Sequence, residues 1–236
     1  NPDSVVCVGH DMPMITHISG GSGVYSRYTW SGETTPLSAT DIPDPFFESL
    51  IRGEYLIAFS VEDNHGCQAT DSIRIFNDSP TASFISNALP ECSPVEVMFT
   101  NQSENTTDYL WDFGDGSASS LENPLHLFSN YSTSVEYFNV RLTAISQHGC
   151  AHTTNGYITV YPNPELLITT YPDMACAPAD VLLASTPGGY SYTWDFGDGI
   201  TTAGNYSIMH TFENDTDHDT VFTVQLISTS FFSCQD

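Results

Sequence analysis

The 236-residue chain has 29 acidic side chains against four arginines and no lysine, a formal net charge of −25. This charge excludes nucleic acid and anionic membrane surfaces as partners, because binding to either requires a basic face. No apolar run is long enough to insert into a membrane. The charge favours solubility or cation binding, and a well-solvated surface accounts for it equally well.

Helical periodicity is absent, and the first region, residues 1–77, predicts β-strands. Alternating apolar and polar residues at 55–61 indicate a half-buried strand just before Cys67. A short strand is expected at 72–75 after it. The linker at 77–80 contains a proline, which stiffens a junction between domains.

The same order of features recurs in residues 78–162. Alternating runs at 95–99 and 137–142 predict strands, and a tail strand is expected at 156–160 after Cys150. A second linker with two prolines follows at 161–164. Stiff junctions suit an extended rod better than a flexible tether.

The last region, residues 163–236, repeats the pattern up to an alternating run at 221–226 and Cys234. A tail strand is missing, which would leave unpaired backbone groups at a sheet edge. Either further chain or a strand donated by a neighbour would complete the sheet. We expect the sequence to be a fragment of a longer protein.

Six cysteines mark the three regions. Consecutive pairs are separated by 60, 58 and 58 residues, and the first members recur after 85 and 84 residues: Cys7 and Cys67, Cys92 and Cys150, Cys176 and Cys234. Only this sequential pairing gives each repeat its own bridge, so we expect it, with six buried free thiols as the alternative. Paired cysteines predict an oxidising, secreted or cell-surface location.

A tryptophan follows the first cysteine of each repeat, at Trp30, Trp111 and Trp194. A ring of this size, in a chain of short strands, is expected in the core between two sheets. The fold class predicted is therefore all-β, with three tandem Ig-like sandwiches at 1–77, 78–162 and 163–236, each with one disulfide.

Identical hexapeptides, Trp-Asp-Phe-Gly-Asp-Gly, occupy 111–116 and 194–199. Together with His-x-aromatic segments at 126–128 and 210–212, they resemble the polycystic-kidney-disease (PKD) domain. The resemblance implies PKD domains at 78–162 and 163–236, the second without its last strand.

The first repeat lacks the hexapeptide. Its Gly-rich stretch leading to Trp30 and its Gly-x-Tyr and Asp-x-x-Gly-Cys segments, at 53–55 and 63–67, resemble repeats of Bacteroidetes gliding adhesins. That resemblance implies a bacterial surface appendage exported by type IX secretion.

The hexapeptide aspartates allow two interpretations. Asp112, Asp115, Asp195 and Asp198 are hard oxygen donors in loops and are candidate calcium ligands, since some PKD domains bind calcium near such loops. The alternative is that they accept hydrogen bonds from backbone N–H groups in tight Asp-Gly turns. No other cofactor is expected.

No catalytic motif is present, so we expect no enzyme activity. The sequence favours a structural or adhesive stalk or fibre segment of a large secreted bacterial surface protein. Its partners would be neighbouring modules of the same chain, further copies in a homo-oligomer or fibre, and surface glycans or proteins. The alternative is an accessory carbohydrate- or protein-binding region of a secreted hydrolase.

Overall fold

The computed structural model describes residues 3–236, and within that range every regular element is a β-strand. The all-β prediction is confirmed. Within the same residues no helix is present that could span a membrane.

Buried apolar side chains form three separate clusters along residues 3–236. They draw on residues 6–75, 82–160 and 181–226, centred on Trp30, Trp111 and Trp194 respectively. We call the corresponding stretches unit 1 (3–78), unit 2 (79–162) and unit 3 (163–236).

Unit 1 contains six strands: β1 Ser4–Cys7, β2 Met12–Pro13, β3 Tyr25–Gly32, β4 Phe46–Phe47, β5 Gly53–Asp63 and β6 Gln68–Asp78. The order β1-β6-β5-β3 forms one sheet, and β2 and β4 form a small second one. Every second residue of the central part of β5 is buried, as the alternation at 55–61 predicts. Strand β6 continues one residue beyond the expected boundary at 77.

Unit 2 contains eight strands: β7 Phe84–Ser86, β8 Glu91–Cys92, β9 Val95–Asn101, β10 Asp108–Asp112, β11 Ala118–Ser119, β12 Leu125–Phe128, β13 Glu136–Ile145 and β14 Ala151–Tyr161. One sheet has the order β11-β10-β13-β14-β8 and the other β12-β9-β7. Val97, Phe99, Val140 and Leu142 are fully buried from the two sheets. A sandwich core results, because alternate residues of a strand face the same side.

Unit 3 contains six strands: β15 Thr169–Tyr171, β16 Ala179–Ala184, β17 Ser191–Asp195, β18 Thr201–Gly204, β19 Ser207–Phe212 and β20 Gln225–Thr229. The sheets have the orders β15-β16-β19 and β18-β17-β20. The strand predicted from 221 begins only at Gln225, since residues 221–224 form no regular ladder. On the far edge of β20, the described residues contribute a single bridge, Thr229 with Gln235.

Two short parallel pairings determine where the first cysteine of a unit lies. Strand β1 runs beside the end of β6, with Cys7 opposite Asp78, and β8 runs beside the end of β14, with Cys92 opposite Tyr161. Cys67 and Cys150 immediately precede the starts of β6 and β14. The two cysteines of a unit therefore lie at opposite ends of an 11-residue strand.

Candidate functional site

The junctions between the units are covalent. Cys7 of unit 1 is bonded to Cys150 of unit 2, and Cys92 of unit 2 is bonded to Cys234 of unit 3. The sequence separations are 143 and 142 residues, and both Cα–Cα distances are 5.5 Å. Each bridge joins the first cysteine of one unit to the second cysteine of the next.

The predicted pairing within each repeat is therefore wrong. Eleven strand residues at roughly 3.3 Å each place Cys7 and Cys67 about 35 Å apart. A disulfide requires Cα atoms within about 7 Å. The equal spacing of the cysteines did not identify the correct pairing. Bonding the first cysteine of each unit to the second cysteine of the next unit gives separations that are just as regular.

Charged and aromatic side chains pack around the first junction. The Asp78 carboxylate is buried, with Oδ2 3.0 Å from Nδ1 of His148 and Oδ1 3.5 Å from Nε of Arg52. The Arg52 guanidinium lies 5.1 Å from the centre of the Phe76 ring, and the same ring is 5.2 Å from that of His148. Arg52 and Asp78 both belong to unit 1, so the polar contact across the junction is the one between Asp78 and His148, which lies beside the disulfide.

The second junction uses equivalent positions with different chemistry. Tyr161 lies opposite Cys92 as Asp78 lies opposite Cys7. Its ring stacks on that of Phe232 with centres 4.3 Å apart, and Phe232 occupies the place of His148 one unit earlier. Asn163, two residues after Tyr161, donates a hydrogen bond from Nδ2 to the carbonyl of Ser93 at 2.6 Å. An aromatic pair beside a disulfide is therefore common to both junctions.

A tight turn precedes the second cysteine of every unit. In unit 2 the Ser146 Oγ accepts the Cys150 N–H at 3.2 Å, and in unit 3 the Ser230 Oγ accepts the Cys234 N–H at 3.2 Å. In unit 1 the Asp63 carboxylate takes this place and accepts the Cys67 N–H at 2.9 Å. The backbone amide of Ser22 also donates to it, and these bonds hold the pKa of Asp63 below its ordinary value.

The two hexapeptides form matching acidic turns. Asp112 accepts the Gly114 N–H, and Asp115 accepts the Ser117 N–H and contacts His126 Nε2 at 2.7 Å. The His126 ring stacks on Phe113 with centres 4.0 Å apart. The turn residues, the histidine and the core are thereby linked in one packed arrangement.

Unit 3 repeats this geometry. Asp195 accepts the Gly197 N–H, and Asp198 accepts the Ile200 N–H and contacts His210 Nε2 at 2.6 Å. The His210 ring stacks on that of Phe196 with centres 3.7 Å apart. The His-x-aromatic segments of the sequence therefore supply the partner of the second aspartate in each hexapeptide.

The environment of these turns lowers the pKa of the second aspartate. Burial raises the pKa of Asp115, but hydrogen bonds from Ser117 and His126 outweigh it, and the net pKa lies below the ordinary 3.8. Burial likewise raises the pKa of Asp198, and hydrogen bonds from His210 and the Ile200 N–H bring it below 3.8. Both carboxylates are thus held in the ionised form.

The four candidate calcium ligands accept backbone hydrogen bonds within their own turns. Asp112 and Asp115 belong to one turn and Asp195 and Asp198 to another, and their oxygens accept backbone and histidine hydrogen bonds. Within residues 3–236, no group of three or more His, Cys, Asp and Glu side chains is placed to hold a metal ion. The geometry is that of the turn interpretation.

The three tryptophans are buried, and each indole N–H donates to a backbone carbonyl: Trp30 to Ile42, Trp111 to Leu121 and Trp194 to Asn205. The equivalent bonds show that the three units place this ring in the same way. A buried indole N–H needs such an acceptor, which fixes the ring orientation.

Unit 1 differs from unit 2 in having an open cleft of about 710 Å³ beside its tryptophan. The cleft lies between residues 12–21 and the face of the β3-β5-β6 sheet, and Trp30, Phe59 and Ile73 line it. In unit 2, Phe84 of β7 covers the corresponding surface, with its ring 5.1 Å from that of Trp111. The cleft is therefore the position that a strand fills in unit 2.

Cys67 and Cys176, the two cysteines left over, are free and exposed. Sequence reasoning placed both in disulfides and did not identify the cluster of Arg52, Asp78 and His148. The one signal in the sequence was the presence of an acidic residue, Asp78, in a short linker between two predicted domains.

Residues 77–160, which are essentially unit 2, match the family described as PKD domain. The PKD resemblance predicted for 78–162 is thereby confirmed, whereas the resemblances proposed for units 1 and 3 are untested by this match. No curated protein matches the chain.

Solved structures similar to the chain include the PKD1 domain of the Vibrio cholerae metalloprotease PrtV. The identity is 28%, the TM-score is 0.30, and the alignment covers 36% of this chain and 99% of that domain. The PKD1 domain of Vibrio anguillarum Epp is also 28% identical, with a TM-score of 0.30 and coverage of 36% and 98%. A calcium-stabilised ice-binding adhesin of an Antarctic bacterium is 12% identical, with a TM-score of 0.42 and coverage of 98% and 68%.

Proposed function

We propose that the chain is a non-catalytic stalk or fibre segment of a large secreted bacterial surface protein. The observation that carries the proposal is the pair of inter-unit disulfides, Cys7–Cys150 and Cys92–Cys234. A bridge between units restricts their relative rotation, which a stalk requires and an independent binding module does not.

The surroundings of the bridges support the same role. Each junction adds an aromatic contact, Phe76 with His148 and Tyr161 with Phe232, and the first adds the buried Asp78 carboxylate. The linkers are only a few residues long and contain proline. Three consecutive Ig-like domains, with divisions near 77 and 162, fit this arrangement.

An extracellular location is consistent with the PKD match and with disulfides, which persist in oxidising compartments. Origin on a bacterial surface and export by type IX secretion rest on the sequence motifs of the first repeat alone. The partners proposed are neighbouring units of the same long chain, with surface glycans or proteins as adhesion targets.

Small-angle X-ray scattering tests whether the units behave as a stalk. The scattering of the oxidised protein should fit one relative arrangement of the three units. A Cys7→Ser/Cys150→Ser double variant should require several, and Cys67→Ser, which leaves both bridges intact, is the matched control. Oxidised protein that already requires many arrangements would contradict the stalk role.

The second candidate function, an accessory binding region of a hydrolase, is favoured by the cleft of unit 1. An aromatic ring lining a cleft of about 710 Å³ offers a surface against which a sugar or a peptide strand can pack. Titration with oligosaccharides and extended peptides, read by isothermal titration calorimetry, would test it. A Leu substitution at Trp30 should abolish any response, and one at Trp194 should leave it intact.

A further inference from the structure

We propose that Cys67 and Cys176 each form a further inter-unit disulfide of the kind already present at the two junctions. Each would bond to the opposite type of cysteine in another unit of this kind, stacked end to end in the same way. The two bridges already present define this geometry, and the two free thiols continue it in both directions.

The bonding pattern is directional. In Cys7–Cys150 and in Cys92–Cys234, the first cysteine of a unit bonds to the second cysteine of the following unit. Cys176 is the first cysteine of unit 3, so its partner would be the second cysteine of a unit beyond it. Cys67 is the second cysteine of unit 1, so its partner would be the first cysteine of a unit before it.

The turn that holds Cys67 has the same hydrogen bonds as the turns that hold the disulfide-bonded Cys150 and Cys234. Its carbonyl accepts the Asp63 N–H, as those of Cys150 and Cys234 accept the N–H groups of Ser146 and Ser230. Its own N–H is bound by the Asp63 carboxylate at 2.9 Å. The three turns therefore present their cysteines in the same way.

Exposure distinguishes Cys67 from its two equivalents. Cys150 is 2% exposed and Cys234 is 1% exposed, because a neighbouring unit covers each of them. Cys67 is exposed at the same position of the same turn. The difference is the one expected if a further unit covers Cys67.

The residue two positions before each second cysteine gives an independent indication. His148 contacts Phe76 across the first junction, and Phe232 stacks on Tyr161 across the second. His65 is the equivalent residue in unit 1 and is exposed. An aromatic side chain from the tail strand of an added unit would find the same contact there.

The two free thiols belong to the first and the third of the three units. Cys67 lies at the end of β6 opposite Cys7, which faces unit 2, so it occupies the outer end of unit 1. Cys176 belongs to unit 3, whose other cysteine, Cys234, faces unit 2. The partner of each thiol is therefore a unit stacked beyond the end, either in the same longer polypeptide or in a second copy.

The chemistry is the oxidation that forms the existing bridges. Two thiols lose two protons and two electrons, and a sulfur–sulfur bond forms between them. The electrons are accepted by the disulfide of a thiol oxidoreductase, which is reduced to a dithiol in two exchange steps.

The inference deepens the proposed stalk function and rests on it, but the two can fail separately. A rigid three-unit chain whose Cys67 and Cys176 never form bonds would retain the stalk function and lose this inference. The scattering measurement tests the first, and the thiol pairing below tests the second.

Two single variants of the 236-residue chain isolate the pairing rule. Cys67→Ser retains only the Cys176 thiol, and Cys176→Ser retains only the Cys67 thiol. Each is incubated alone and mixed with the other in a glutathione redox buffer that preserves Cys7–Cys150 and Cys92–Cys234. Products are resolved by non-reducing electrophoresis and peptide mapping.

The mixture should give a heterodimer linked through Cys67 and Cys176, while each variant alone stays monomeric. Homodimers in the proportion expected from random pairing would overturn the proposal. So would thiols that stay reduced in the mixture, or mapping that finds Cys67 bonded to Cys7.

Peptide mapping of the native, unreduced surface protein distinguishes the two sources of the partner. A Cys67 peptide linked to a sequence outside the 236 residues identifies a further unit of the polypeptide. A link to the Cys176 peptide identifies a second copy. Alkylation of both as free thiols in the native material would refute the inference.

Discussion

Pulling the chain from its two ends should show which cysteines the disulfides connect, because the pairing determines how far the unfolded chain can extend. With both bridges intact, the shortest covalent path runs from residue 1 to Cys7, across to Cys150, back along the chain to Cys92, and across to Cys234. It contains six, 58 and two residue steps, 66 in all. At about 3.5 Å per residue, the fully unfolded molecule extends to roughly 230 Å.

Breaking the bridges lengthens this path by amounts that depend on the pairing. The fully reduced chain has 235 steps and should extend to roughly 820 Å. The Cys7→Ser/Cys150→Ser double variant leaves 91 steps to Cys92 and two after Cys234, about 330 Å. Single-molecule force spectroscopy in oxidising and reducing buffer measures these contour lengths directly.

The Cys67→Ser variant tests the connectivity itself. Because Cys67 is free in the structure, its replacement should leave the roughly 230 Å limit unchanged. If each repeat instead had its own bridge, the path would lengthen to 119 steps, about 420 Å. A longer extension for this variant would refute the inter-unit pairing.

Three further predictions concern the cores and the acidic turns. Trp111→Ala should lower the free energy of unfolding by about 3–5 kcal/mol in urea denaturation, because the ring is fully buried. Leu110→Ala, at an exposed neighbour, is the control. A loss below about 1 kcal/mol for Trp111→Ala would place that ring outside the core. The free energy of unfolding should fall on acidification, because the folded-state pKa values of Asp115 and Asp198 lie below the ordinary value of 3.8. The stabilisation from these two carboxylates is complete above pH 3.8 and is lost as the pH falls through the lowered pKa values. Acid titration followed by circular dichroism measures this loss, which Asp115→Asn should reduce, and an unchanged profile in that variant would contradict it. Calcium titration should leave the melting temperature unchanged at constant ionic strength, because these aspartates are engaged within their turns; a rise in melting temperature that Asp115→Asn abolishes would restore the calcium hypothesis.

Much of the fold was predictable because it depends on local patterns. The alternation at 95–99 appears as the inward-facing Val95, Val97 and Phe99 of β9, since a strand places every second side chain on one face. The hexapeptides predicted tight turns, and Gly114, at φ 79°, occupies the left-handed region that glycine adopts easily. A Cβ at Gly114 would also lie 2.7 Å from the Asn139 carbonyl.

The junctions were not predictable, because they depend on contacts between residues far apart in the sequence and not on local patterns. Cys7 and Cys150 are brought together by the parallel pairing of a four-residue strand and by the stacking of whole units. Neither leaves a periodic trace in the sequence. The contact of Asp78 with His148 likewise joins residues 70 positions apart, and only the assembled units bring them within hydrogen-bond distance.

The interlaced bridges also make the chain tolerant of backbone cleavage. Hydrolysis in the linker after Asp78 would leave the fragments joined through Cys7 and Cys150, and hydrolysis after Pro162 would leave them joined through Cys92 and Cys234. Even with both linkers cut, the three pieces would remain one covalent molecule. Exposed to extracellular proteases, such a chain would keep its ends connected after damage that separates ordinary tandem domains.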